Sequence, residues 1–200
     1  MIRCRHCFSA IDQTFLDLGS SPPSNAYISK ENINAPEMWY PLKVVVCENC
    51  WLVQTVDFTQ ASDLFDNHYA YFSSVSDSWV EHSRIFSEMV IGKFNLGNDS
   101  LVVEVACNDG YLLQFFQKQG IPNIGVEPTK STAEAAKGKG LHVIESFFGV
   151  ELAHELVATQ KNANLIVCNN VLAHVPDIND FCEGIAVLLS DDGVATFEFP

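Results

Sequence analysis

Leu101-Val102-Val103-Glu104-Val105-Ala106-Cys107-Asn108-Asp109-Gly110 is the stretch on which the reading of this chain turns. Leu101–Ala106 is a short, nearly continuous apolar run, the pattern of a strand covered on both faces. It breaks into small and polar residues that end in Gly110, a tight turn into a helix over Tyr111–Gln119 carrying Leu112, Leu113, Phe115 and Phe116. Small residues let backbone approach a ligand closely, and the helix start offers free N–H groups. Glu104, Ala106, Cys107, Asn108, Asp109 and Gly110 therefore form a candidate ligand cradle. The pattern G-x-G-x-x-G is not met, because Ala106 and Asn108 stand where glycines are required, and this weighs against a dehydrogenase. Cys107 reads as a small wall residue, since nothing nearby supplies the cationic setting of a reactive thiolate.

Downstream, strands and helices alternate. Ile124–Glu127, Leu141–Glu145, Leu165–Asn169 and Val194–Phe199 read as further strands. Helices are expected over Ser131–Gly138, around Val150–Thr159 and over Ile178–Leu189. This alternation predicts an α/β fold with a parallel sheet covered on both faces, whose ligands sit at the carboxyl ends of the strands. Glu127 closes the second strand, where an acid is placed to accept hydrogen bonds from both hydroxyls of a ribose. The third strand ends in Glu145-Ser146-Phe147-Phe148, an acid and aromatics suited to an adenine ring, with two core phenylalanines as the plainer reading. The fourth ends in Asn169-Asn170, two amides over the ligand, and His174 one turn later would face a substrate or serve structure.

Upstream, Cys4-Arg5-His6-Cys7 and Cys47-Glu48-Asn49-Cys50 are two Cys-x2-Cys pairs. A two-residue gap lets one turn aim two thiolates at a tetrahedral ion, and four sulfurs suit a structural zinc with no open position. Leu42–Cys47 and Trp51–Val56 read as a hairpin gripping the metal at its turn, and Leu18–Tyr27 as a turn-rich connector. A helix is expected from about Ser76 to Phe94, packed on the following domain, after an aromatic segment with Tyr69 and Tyr71. The division is a zinc-binding β-rich domain over 1–58, a connecting segment and helix over 59–95, and a nucleotide-type core over 96–200.

The 200 residues carry 11 Lys and Arg against 25 Asp and Glu, a net charge of −14. Nucleic-acid surfaces rely on clustered cations, so no nucleic acid is expected as partner. No apolar run approaches the roughly 18 residues of a membrane span, and Met1–Cys7 lacks the apolar stretch of a signal peptide. The expected address is cytoplasmic, where seven cysteines read as ligands and buried thiols rather than disulfides. The chain stops on an apolar strand at Pro200, which suggests a piece of a longer protein.

An ordered set runs through the chain: the two Cys-x2-Cys pairs, Tyr69-Ala70-Tyr71-Phe72-Ser73-Ser74-Val75-Ser76, Val103–Gly110, Gly125-Val126-Glu127-Pro128 and Glu198-Phe199-Pro200. This set resembles the zinc-containing, S-adenosylmethionine-dependent sugar C-methyltransferases, which methylate nucleotide-linked 4-keto-deoxysugars at carbon 3. The resemblance implies a zinc domain, a Rossmann-like methyltransferase core whose last strands are missing here, and a carboxyl-terminal domain. It implies that Ala106, Cys107, Asn108, Asp109, Gly110, Glu127, Pro128, Phe147, Phe148 and Asn169 hold the cofactor, and that Tyr69 or Tyr71 lines the sugar pocket with His174. In that family the general base follows the Glu-Phe-Pro triplet, so the resemblance implies little turnover by this chain alone. Two other readings stand beside it: a zinc-ribbon methyltransferase for another small acceptor, and a non-catalytic zinc-binding module.

Overall fold

The structure, a computed structural model, describes residues 2–59 and 70–199 and divides into two compact units. The first comprises Met1–Tyr71 together with Pro176–Asn179, and the second Phe72–Val175 with Asp180–Pro200.

In the first unit, β1 (Ile2–Arg3) pairs antiparallel with β2 (Ala10–Ile11), and β3 (Gln13–Ser21), β4 (Tyr40–Val46) and β5 (Val53–Thr55) form an antiparallel sheet in that order. The hairpin around the second cysteine pair is present, with Val46 opposite Val53. The core is small: Cys4, Ile11, Val45 and Cys47 are buried, whereas β3 is exposed along its length. The connector expected from Leu18 begins only at Pro22, because β3 runs on to Ser21. The Tyr40–Pro41 end of β4 supplies backbone partners for Ser20 and Ser21, and a register shift between Asp17 and Ser20 accommodates Gly19 at φ +77°.

The second unit opens with α1 (Asp77–Phe94). Ser76 caps it by accepting from Trp79 N at 3.3 Å, and Asn95 ends it in the left-handed region. Then follow β6 (Val102–Val105), α2 (Leu113–Lys118), β7 (Asn123–Val126), α3 (Lys130–Gly138), β8 (Val143–Ile144), α4 (Val150–Thr159), β9 (Ala163–Asn169), α5 (Ile178–Leu188) and β10 (Leu189–Glu198). The five strands are all parallel, in the order β10-β9-β6-β7-β8. One apolar layer packs Val90, Leu112, Phe116 and Ala136 under α1, α2 and α3; the other packs Leu156, Phe181, Ile185 and Leu188 under α4 and α5. Both faces are thus covered, as the apolar strands require, and the fold is Rossmann-like. The strand order reverses between β6 and β9, so a crevice is expected beyond their carboxyl ends. β10 begins at Leu189 rather than Val194, reaching back across an irregularity that leaves Gly193 against the Ala163 carbonyl.

Candidate functional site

The turn after β6 leaves the sheet through Ala106, Asn108 and Gly110, all at positive φ (59°, 50° and 75°). Asn108 N–H donates to Glu127 Oε2 at 2.9 Å, and Thr129 N–H donates to Glu127 Oε1 at 2.9 Å. The carboxylate at the end of β7 is thereby fixed beside the turn and is 4% exposed. An ionised carboxylate has about four acceptor positions, so two remain for a ligand. Thr129 Oγ1 and Ser131 Oγ are buried nearby in sequence without partners among the described residues. The side chains of the turn look the other way, to the residues before α1. Asn108 Oδ1 accepts from Ser73 N at 2.8 Å, and Asp109 accepts from Ser74 N at 3.3 Å and from Ser74 Oγ. Lys139 Nζ completes the cluster, 2.7 Å from the Asp109 carbonyl and 3.4 Å from its Oδ2.

Packing explains two small residues here. A Cβ on Gly110 would lie 2.1 Å from Leu141 Cδ1, and one on Gly125 would lie 2.4 Å from Cys107 Sγ. Cys107 is therefore a filler between β6 and β7, fully buried. Glu104 is 0% exposed within β6, with the Tyr111 hydroxyl and the Leu113 backbone as its polar neighbours. Burial pushes its carboxyl well above the usual range; the charges of Glu127 and Asp109 add to this, and the Tyr111 hydroxyl offsets part of it.

The third-strand aromatics divide. Phe148 packs edge-on against Phe181 in the core, with ring centroids 5.4 Å apart, while Phe147 is half exposed. Ser146 Oγ donates to the Phe147 carbonyl at 3.0 Å, and Pro128 is half-buried. Asn169 Nδ2 lies 3.4 Å from Tyr111 Oη, and Asn170, at φ 53°, donates its N–H to the Glu198 carbonyl at 2.8 Å. His174 ends an exposed 3-10 turn over Leu172–His174. Tyr71 is half exposed, and Tyr69 lies outside the described residues.

Sequence reasoning passed over Tyr111, Trp79, His82 and the carboxylate of Glu198 as a site. The Trp79 ring lies 5.9 Å from Tyr111 and stacks on His82 at 5.0 Å, and His82 Nε2 is 3.1 Å from Glu198 Oε2. The available signals were the three-residue spacing of Trp79 and His82 on one helix and the position of Tyr111 directly after Gly110.

In the first unit, the sulfurs of Cys4, Cys7, Cys47 and Cys50 all lie within 4.8 Å of one another, with Cys4–Cys50 and Cys7–Cys47 at 3.5 Å. A tetrahedral zinc at about 2.3 Å from each sulfur requires sulfurs about 3.8 Å apart, so the set fits the ion. None of the cysteines is in a disulfide. The two knuckles are built alike: Phe8 N–H donates to the Cys4 carbonyl at 3.1 Å and Trp51 N–H to the Cys47 carbonyl at 2.8 Å. Phe8 and Trp51 take positive φ (61° and 64°) and are 60% and 71% exposed.

The cradle in the second unit also fits the methyl donor implied by the resemblance. Glu127, fixed beside the turn, and Asp109, paired with Lys139, place carboxylates at the cradle, which suits a positively charged ligand. Glu127 retains acceptor capacity for a ribose, and Phe147 keeps a free face.

Comparison with known proteins agrees with both units. Residues 4–65 match a family model described as "Putative zinc binding domain", and residues 81–200 match one described as "Methyltransferase domain". The C-methyltransferase NovU of Streptomyces niveus is 30% identical over 197 residues, covering 98% of this chain and 47% of that protein. The ubiquinone biosynthesis O-methyltransferase of Rhodopseudomonas palustris (strain TIE-1) is 24% identical over 96 residues, 46% of this chain and 37% of that protein. The chain thus spans less than half the length of these curated relatives. Among solved structures, the PH0226 protein of Pyrococcus horikoshii OT3 superposes with a TM-score of 0.52 at 13% identity, over 64% of this chain and 57% of that one, a likeness of fold alone. Among the described residues, no helix is long and apolar enough to cross a membrane.

Proposed function

The chain belongs to the methyltransferase-domain family, and from that premise we propose that it serves the C-methylation of a nucleotide-linked 4-keto-deoxysugar with S-adenosylmethionine as donor. The observation that carries the donor assignment is the Glu127 carboxylate, buried, tied to Asn108 N and Thr129 N, and left with acceptor capacity beside the turn after β6. Similarity to a C-methyltransferase along nearly the whole chain supports carbon as the acceptor atom.

When bound, the donor supplies a methyl group on a positively charged sulfur. Glu127 would accept the two ribose hydroxyls, the backbone of 106–110 would receive the amino-acid end, and Phe147 would offer its exposed face to the adenine. Asn169 and Asn170, at the end of β9, and His174 would face the acceptor, with Tyr69 and Tyr71 as the further candidates that the resemblance implies. Rate acceleration comes from alignment of two bound reactants and removal of a proton made acidic by the neighbouring ketone. A zinc held by all four of these sulfurs would have no open position for that chemistry.

Calorimetry with S-adenosylhomocysteine tests the donor site. Glu127→Ala is expected to weaken binding by about 1–3 kcal/mol, roughly 5- to 150-fold. Unchanged affinity removes the ribose assignment, and no heat with the unaltered chain favours a non-catalytic zinc-binding module. The match to an O-methyltransferase favours one alternative acceptor, a hydroxyl. Saturation-transfer NMR with a thymidine-diphosphate-linked 4-keto-6-deoxyglucose and with a catechol separates the two: contact with the sugar alone supports the proposal.

A further inference from the structure

Tyr111 follows Gly110 directly, in the turn that leads into α2. It is 3% exposed and rests against the indole of Trp79, with ring centroids 5.9 Å apart. Its hydroxyl meets two polar groups, the Glu104 carboxyl and Asn169 Nδ2, the latter at 3.4 Å. Burial pushes the phenol well above its ordinary range, so it keeps its proton. An amide nitrogen only donates, so Asn169 Nδ2 takes a lone pair of Tyr111 Oη and the phenol proton turns to a Glu104 oxygen. The bonds therefore run in one direction, from Asn169 through Tyr111 to Glu104. One branch of the Asn169 amide is held inward, and Oδ1, an acceptor, lies on the other, with no donor bonded to it among the described residues. β9 lies beside β6 with Val167 opposite Glu104. Two residues on along each strand, Asn169 stands level with Ala106, where the donor turn begins.

We propose that Tyr111 is a positioning residue that aims Asn169 Oδ1 at the α-ammonium of the methyl donor. The assignment rests on the donor reading above and names the group that distinguishes the two charged ends of its amino acid. An ammonium has three N–H donors and accepts nothing, so an outward Oδ1 suits it. The reversed amide would present N–H groups instead, which suit the carboxylate of the same ligand. Tyr111 decides between the two orientations. Its lone pair takes the N–H branch, and with its proton committed to Glu104 it has no hydrogen left for Oδ1. Packed against Trp79 and buried, the phenol sets the amide before the donor arrives, which lowers the ordering cost of binding. Tyr111 itself touches no reacting atom. Asn169 then faces the acceptor across the donor's amino-acid end.

Calorimetry of the chain with a set of related ligands tests the assignment. S-adenosylhomocysteine carries both charged groups, its decarboxylated analogue keeps the amine alone, and 5′-deoxy-5′-methylthioadenosine lacks the amino-acid end. Tyr111→Phe removes the hydroxyl and nothing else. It is expected to weaken the two amine-bearing ligands about 10-fold and to leave the third within about two-fold. Asn169→Ala should give the same pattern, and adding Tyr111→Phe to it should weaken binding no further, because the phenol acts through the amide. Equal weakening of all the ligands, as a general loss of structure would give, overturns the proposal. Unchanged binding of all of them does the same. A loss confined to S-adenosylhomocysteine overturns it too, because Asn169 would then read the carboxylate. Additive losses in the double variant overturn the route through Asn169. Failure of the unaltered chain to bind any of these ligands overturns the donor reading and this assignment with it.

Discussion

Replacing Glu104 by Gln is expected to change the pH dependence of stability more than stability at any one pH. Glu104 is fully buried in the central strand β6, and burial with the nearby charges of Glu127 and Asp109 raises its carboxyl well above the ordinary range, although the Tyr111 hydroxyl offsets part of this. In the unfolded chain the same group titrates near 4.3. Below that pH both states are protonated and the residue contributes no slope. Above it, the folded chain keeps a proton that the unfolded chain has lost, so stability falls with rising pH by about 1.4 kcal/mol per unit until the folded carboxyl also ionises. The glutamine variant lacks this titration. Its extra N–H groups cost about 1–3 kcal/mol if unpaired, but that offset does not vary with pH. Urea unfolding of both proteins at pH 5, 6 and 7, extrapolated linearly, gives the difference directly. The variant's stability relative to the parent should rise by about 2–3 kcal/mol across that range if the folded carboxyl stays protonated throughout. A flat difference refutes a protonated Glu104, because it means that the carboxyl is already ionised in the folded chain by pH 5.

Three further outcomes follow from the geometry. Cys47→Ser, at a fully buried ligand, should reduce the zinc content measured by atomic emission from one ion per chain to well below one and unfold the first unit's small core; retention of one tightly held ion would contradict a four-sulfur site. Gly110→Ala meets both a left-handed backbone and Leu141 Cδ1 at 2.1 Å, so thermal unfolding should show a loss of about 2–4 kcal/mol, and a loss below 1 kcal/mol would contradict the packing. The two neighbouring phenylalanines should separate: Phe148→Ala lowers stability by about 2–4 kcal/mol, whereas Phe147→Ala leaves stability within about 0.5 kcal/mol and weakens S-adenosylhomocysteine binding. Equal effects of the two on binding would remove the adenine assignment.

Much of the second unit was legible because its signals are local. Apart from Glu104 and Asn169, Val102–Val105 and Leu165–Asn169 are apolar without alternation, the mark of buried parallel strands, and Ser76 and Asn95 bracket α1 with ordinary caps. The cysteine spacing specified the metal cluster for the same reason, since two turns determine where four sulfurs point. β3 was not legible: Gln13–Ser21 has neither alternation nor burial, and its pairing comes from β4, from Tyr40 opposite Ser21 to Val46 opposite Gln13, across the intervening loop. The Trp79–His82–Glu198 array was hidden in another way. It depends on β10 ending beside β9 and on α1 reaching that end, and no spacing along the chain encodes either. Glu127 could be placed at a strand end by counting, but its bonds to Asn108 N and Thr129 N exist only once the turn at 106–110 has coiled through three left-handed residues.

Phe8 and Trp51 occupy corners of the metal clasp where a side chain larger than hydrogen is held against its backbone preference, at a cost on the order of 1–2 kcal/mol each. Both corners sit directly after a ligand thiol, so the sulfurs anchor the coil that keeps them wound. Once chelation releases the thiolates, the two turns should unwind together, giving a sharp, all-or-none demetallation curve instead of gradual loosening. With an indole at one corner, intrinsic fluorescence becomes a dye-free gauge of that release.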